Sequence, residues 1–185
     1  FDAPSMLLSR PTIKAFNSLW YHKQYTRLHR RDIDIEPFFY PLDAVGNWNR
    51  LYGSRGMLQY QCVVPSDGGV ELMHAIIREL QKGHVASFLA VIKKFGNIPS
   101  PGMMSFPQPG LTLTLDMPQS GRKLFDALDR CDGIVRSVGG RVYAAKDARI
   151  KGQTFIPMYP RYQEFLRCID PGCSSSFWRR IHGDT

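Results

Sequence analysis

Between Met57 and Ala144 the hydrophobic period switches repeatedly between two and three-to-four residues, and few folds accommodate that order. Met57 to Val64 is an apolar-rich run closed by Pro65, as expected of a strand. Val70, Met73, Ile76, Ile77 and Leu80 then recur at helical spacing, with Ser66 or Asp67 available as the N-cap. Lys82-Gly83-His84 stops that helix, and Ala86 to Phe95 reads as a second strand. After a Pro/Gly-rich loop, Leu111 to Met117 alternates apolar and polar residues as a third strand. A second helical pattern opens at Ser120 and runs through Leu124, Leu128, Ile134, Val135 and Val138, slackened at Gly133. Arg141–Ala144 is the last strand. The order β-α-β-β-α-β predicts an α+β fold with a ferredoxin-like core, an antiparallel sheet carrying its helices on one face. The other face is left to a ligand or another domain.

The ends of the chain are less regular. Leu19-Trp20-Tyr21 is an aromatic strand candidate, Tyr25 to Arg31 a polar, basic loop, and Ile33 through Phe38-Phe39-Tyr40 an extended segment. Asp43 to Arg50 is expected to form a helical turn that packs Trp48 inward. Beyond the last strand, short helical patterns around Ile150–Met158 and Tyr162–Cys168 predict a helical tail, broken at Asp170-Pro171-Gly172.

Residues at i and i+2 share one face of a strand. Gln59 and Gln61 therefore point together, as do Thr112, Thr114 and Asp116, and as do Val91, Lys93 and Phe95. Amides and hydroxyls both donate and accept, which suits a polyol, although the solvated face of an ordinary antiparallel sheet has the same composition. The Gly139-Gly140 pair ends the second helix, and the strand after it delivers Tyr143 and Lys146 to one sheet edge. A cation fixed by the fold behind it can meet a ligand's developing negative charge.

Composition narrows the classes of function. At 43% hydrophobic and 22% charged residues the chain has the make-up of a soluble globular protein. No apolar run reaches the roughly 18 residues of a membrane span, and no secretory leader is evident. The expectation is a cytoplasmic protein, with membrane-associated or periplasm-facing placement as alternatives. The net charge of +8 is spread as +2, +2 and +4 over residues 1–50, 51–140 and 141–185, with no dense basic arm, so nucleic acid ranks low as a partner. Cys62, Cys131, Cys168 and Cys173 lack zinc-like spacing, and the five histidines form no ligand pair, so no metal site is expected.

Longer blocks carry a resemblance. Phe39-Tyr40-Pro41-Leu42-Asp43, Trp48-Asn49-Arg50, Gln59-Tyr60-Gln61, Ser105-Phe106-Pro107, Tyr143-Ala144-Ala145-Lys146-Asp147 and Met158-Tyr159-Pro160-Arg161 are collinear with the C-terminal half of FAD-linked oxidases of the vanillyl-alcohol-oxidase type, which the chain resembles over nearly its whole length. The resemblance implies an FAD-dependent oxidoreductase that oxidises a secondary alcohol of a sugar-like or lipid-linked substrate. The alternative is a non-enzymatic ferredoxin-like module binding a ligand or a partner. The same resemblance implies a substrate-binding cap domain over residues 1–145, N-terminally incomplete, and a segment over 146–185 that returns to the flavin-binding domain. The glycine-rich nucleotide-binding part would lie in a missing N-terminal flavin domain.

By the same resemblance, Lys146 stabilises charge beside the flavin and the substrate, and Tyr143 contacts the ring. Gln59, Gln61, Lys93, Phe95, Thr112, Thr114 and Phe39 line the substrate pocket. Oxygen, a quinone or a partner reductase would accept the electrons. Three positions depart from the family pattern, which has tyrosine at Phe39, asparagine at Thr112 and cysteine at Thr114. Phe39 cannot donate a hydrogen bond and Thr114 cannot form a thiolate adduct, so flavin chemistry is better supported than any one substrate.

Overall fold

The computed structural model describes residues 9–23, 26–28, 30–40 and 46–183. They fall into two compact units, Phe1–Met57 and Leu58–Thr185, each treated by itself below.

In the first unit, helix α1 spans Arg10–His22 and helix α2 spans Ile35–Phe39. Both correct the sequence expectation of extended segments at Leu19-Trp20-Tyr21 and Phe38-Phe39-Tyr40. Aromatic residues favour strands as single residues. Here Pro11 in the first turn and Ile13, Phe16 and Trp20 at i, i+3 and i+7 make a helical stripe that outweighs that preference. In α2 the Tyr40 N–H closes the turn on the Glu36 carbonyl at 2.8 Å. The helical turn expected near Asp43 is found as a 3-10 turn over Trp48–Tyr52, where the Trp48 ring meets Tyr52 edge-on at 6.4 Å. Its first residues, Asp43 to Val45, lie outside the described set.

In the second unit the β-α-β-β-α-β order holds. Strand β1 is Met57–Pro65, helix α3 Gly69–Lys82, strand β2 Leu89–Phe95, strand β3 Gly110–Pro118, helix α4 Arg122–Ser137 and strand β4 Arg141–Val142. They form one four-stranded sheet in the order β2-β3-β1-β4. Antiparallel registers set Lys93 opposite Thr112 and Cys62 opposite Val142. Met73, Ile76 and Leu80 of α3 and Leu124, Leu128, Cys131 and Val135 of α4 bury against Leu58, Tyr60, Cys62, Leu113, Leu115 and Val142. The helices therefore cover one face of the sheet.

Four local readings change. The α3 N-cap is Gly68 in the left-handed region at φ 62°, not Ser66 or Asp67, because the chain makes a full turn between Pro65 and the helix. Val70, at the outset of the apolar stripe, is exposed. Gly133 does not interrupt α4, since it sits on the solvent side with nothing near its missing Cβ. Strand β2 begins three residues later than expected, after Ser87 Oγ has bonded the Leu89 and Asp116 carbonyls.

The tail forms α5 Gly152–Phe155, α6 Tyr162–Leu166 and α7 Ser176–His182. Ile150, Phe155, Met158, Tyr159, Tyr162 and Ile181 join the same core as the sheet. At the crossing of α5 and α7, a Cβ on Gly152 would stand 1.7 Å from the Ile181 carbonyl oxygen. Gly152→Ala is thus expected to cost about 3 kcal/mol through overpacking, read as a lowered thermal midpoint.

The four cysteines are free, with Cys62 and Cys131 buried and their thiols pushed up to about 12 by burial. Among the described residues no helix is long and apolar enough to cross a membrane, and no cluster of acidic, His and Cys side chains could hold a metal.

Candidate functional site

The strand alternation that sends Tyr60 and Cys62 into the core sends Gln59 and Gln61 to the opposite face of the sheet. On β3 the same alternation puts Leu113 and Leu115 in the core and Thr112, Thr114 and Asp116 on that opposite face. The β2–β3 register adds Val91 opposite Thr114 and Lys93 opposite Thr112. At the other edge the Tyr143 N–H donates to the Gln61 carbonyl at 2.8 Å, extending the face beyond β4. Gln59, Gln61, Lys93, Thr112, Thr114 and Tyr143 therefore share one surface.

Polar groups on this face are ordered by their own hydrogen bonds. Gln59 Nε2 donates to Asp116 Oδ1 at 2.9 Å, and Gln61 Nε2 donates to Thr112 Oγ1 at 3.2 Å. Each bond fixes an amide with its nitrogen turned to the neighbouring strand and leaves its carbonyl Oε1 as an acceptor. Thr112 is fully buried, and Asp116 and Gln61 nearly so, so neither amide is a freely rotating surface group.

An aromatic wall bounds the face at one end. Phe106, buried in the loop between β2 and β3, stacks on Tyr143 at 4.7 Å and meets Phe95 edge-on at 6.0 Å. Arg141 holds that loop, its Nη1 donating to the Ser105 carbonyl at 2.7 Å and the Pro107 carbonyl at 3.2 Å. Behind the wall, the Tyr159 hydroxyl donates to the Val142 carbonyl at 2.7 Å, and burial raises its pKa.

Lys146 is placed differently from expectation. Strand β4 ends at Val142, and Lys146 closes a 3-10 turn over Ala144–Lys146, its N–H bonded to the Tyr143 carbonyl at 3.1 Å. Its side chain is half-buried, and among the described residues no hydrogen bond or ion pair engages its ammonium. Asp147 braces the turn, accepting from the N–H groups of Arg149 and Ile150 at 3.1 and 3.0 Å and from Arg180 Nη2 at 2.5 Å. Phe39 lies in the first unit, exposed and edge-on to Phe38 at 5.0 Å.

Two members of the face were not singled out from sequence as site residues. Asp116 was legible, since it follows Thr112 and Thr114 in the same alternation. Phe106 stands within one of the blocks that carry the resemblance, but as a loop residue it has no periodicity to place it on the face.

No family model matches the chain. Among curated proteins it is 40% identical over 187 residues to the decaprenylphosphoryl-beta-D-ribose oxidase of Mycolicibacterium smegmatis, an alignment covering 92% of this chain and 39% of the oxidase. It is also 32% identical over 145 residues to an uncharacterized protein in the mprA 5' region of Streptomyces coelicolor, covering 76% of this chain and 39% of that protein. The chain thus spans about two-fifths of the length of the curated relatives it matches, consistent with a C-terminal piece of an FAD-linked oxidase. Over that span it is a homologue of decaprenylphosphoryl-beta-D-ribose oxidase.

Proposed function

We propose that this chain is the substrate-facing part of an FAD-dependent oxidoreductase that oxidises a secondary alcohol of a sugar or sugar-like substrate. The observation that carries this reading is the oriented polar face, ending at Tyr143 and followed by Lys146, in a chain 40% identical to a decaprenylphosphoryl-beta-D-ribose oxidase. With one N–H of each amide given to a neighbouring strand, Gln59 and Gln61 keep the Oε1 acceptor and a second N–H for the hydroxyls of a polyol. Thr112, fully buried, accepts from Gln61 and holds that amide in place, and the half-buried Thr114 supplies a hydroxyl. Lys93 and Phe95 flank them on β2.

The residues present suit the ring of FAD. The stacked Phe106–Tyr143 pair supplies a flat apolar wall, and Lys146 supplies a cation without a partner among the described residues. Tyr143 and Lys146 would hold the ring, which when bound accepts the hydride of the alcohol. Lys146 offers positive charge where negative charge grows. The adenine dinucleotide would be held by a flavin domain outside this sequence, to which residues 146–185 return. The relative's decaprenylphosphoryl ribose, a free sugar and a sugar lactone are all substrates of the required chemistry.

The test is absorbance. Full-length protein is expected to purify yellow and to bleach anaerobically when a pentose or its lactone is added. A colourless full-length protein that ignores added FAD would overturn the reading in favour of a non-enzymatic binding module.

A further inference from the structure

Helix α1 has the exposure of a segment that is not yet in its final surroundings. It is 13 residues long, and from Pro11 to Lys23 every residue except the half-buried Ile13 is exposed. An isolated helix below about 12–15 residues is marginal in water, since its stability normally comes from burying one face. The stripe available for burial is Ile13, Phe16 and Trp20, widened by Leu19 and Tyr21, with Trp20 64% and Leu19 76% exposed. Phe16 and Trp20 stack at 6.0 Å, and Lys23 Nζ lies 4.8 Å over the Trp20 ring.

Charge says what that stripe would meet. From Arg10 to Arg31 the sequence carries Arg10, Lys14, Lys23, Arg27, Arg30 and Arg31, with no aspartate or glutamate. The modest excess over residues 1–50 hides this concentration, because Asp32, Asp34, Glu36 and Asp43 follow directly. We propose that α1 and the basic stretch after it dock on an anionic phospholipid surface. A short helix with Trp, Tyr, Phe and Leu among lysines and arginines lies in the plane of a membrane interface, aromatic face toward the acyl boundary. The cations then meet the headgroups. Duplex nucleic acid would engage the cations and leave the aromatic stripe uncovered. This inference stands apart from the catalytic reading, since α1 contains none of its residues.

The experiment is co-sedimentation of the full-length protein with vesicles of phosphatidylcholine, with and without phosphatidylglycerol. Binding is expected only to the anionic vesicles, falling with added salt and accompanied by a gain in helical signal. Lys14→Glu with Lys23→Glu should weaken binding more than about 20-fold, at roughly fivefold per charge removed. Lys14→Arg with Lys23→Arg should retain binding, which separates charge from folding. Trp20→Ser, with every cation intact, should weaken binding about tenfold. The proposal is overturned by equal binding to neutral vesicles, by indifference to the Glu variants, or by duplex DNA binding as tight as the anionic vesicles. It is also overturned if the α1 amides of the lipid-free full-length protein resist hydrogen exchange, because the rest of the enzyme then already covers the helix.

Discussion

Arg149→Met is expected to destabilise the sheet unit by about 3–5 kcal/mol, one of the largest losses available to a single substitution here. Arg149 Nη2 donates to Asp132 Oδ2 at 2.7 Å, with the two side chains 6% and 1% exposed. The Tyr60 hydroxyl donates to the other carboxylate oxygen at 3.0 Å, and Arg149 Nη1 also reaches Asp129. Removing Arg149 leaves a carboxylate inside the helix–sheet core with only Tyr60 for company. Pairing Arg149→Met with Asp132→Leu removes both charges and should recover most of the loss. Denaturant titration of both single variants and of the double variant checks both expectations; a double-variant loss equal to the sum of the two single losses would show that the pair is not coupled.

The same pair gives a pH dependence. Burial lifts the Asp132 carboxyl to about 6, while Arg149 and the Tyr60 hydroxyl hold it back. In the variant Arg149's part of that restraint is gone, Tyr60 alone remains, and the carboxyl titrates higher still. Its penalty is therefore full at alkaline pH and shrinks as pH falls toward about 6, where protonation neutralises the orphaned group. A penalty that grew on acidification would place the charge elsewhere.

Lys146→Met in the full-length enzyme is expected to lower turnover by about 10²–10³-fold, the scale for deleting one preorganised charge-stabilising donor. The thermal midpoint should scarcely change, because the ammonium has no partner among the described residues to lose. Steady-state turnover and a melting curve on the same preparation separate the two effects. A melting point that fell with activity would make the lysine structural, and unchanged turnover would remove it from the proposed mechanism.

What sequence made legible was the part ruled by local periodicity. The strand and helix order of residues 57–142, the sheet face carrying Gln59, Gln61, Thr112 and Thr114, and the helical tail follow from patterns within windows of about ten residues. Leu19-Trp20-Tyr21 misled because two adjacent strand-favouring aromatic side chains mask a stripe that shows only across Ile13, Phe16 and Trp20. Asp132 was illegible for another reason. Its partners stand 72 and 17 positions away, and no local pattern marks a carboxylate that a tyrosine and an arginine will meet only after folding. Lys146 fell between these cases: its neighbourhood was readable, but the 3-10 turn that carries it was not.

That turn has a consequence for how the molecule is assembled. Asp147 is clamped by Arg180, which belongs to α7, the last helix of the described chain. The bond spans 33 positions, so nascent chain that has reached Lys146 still lacks the arginine that locks the backbone beside it. The lysine's geometry is completed by a residue synthesised 33 positions after its neighbour Asp147. Variation at Arg180, far along the chain from the polar sheet face, therefore acts on the backbone beside Lys146.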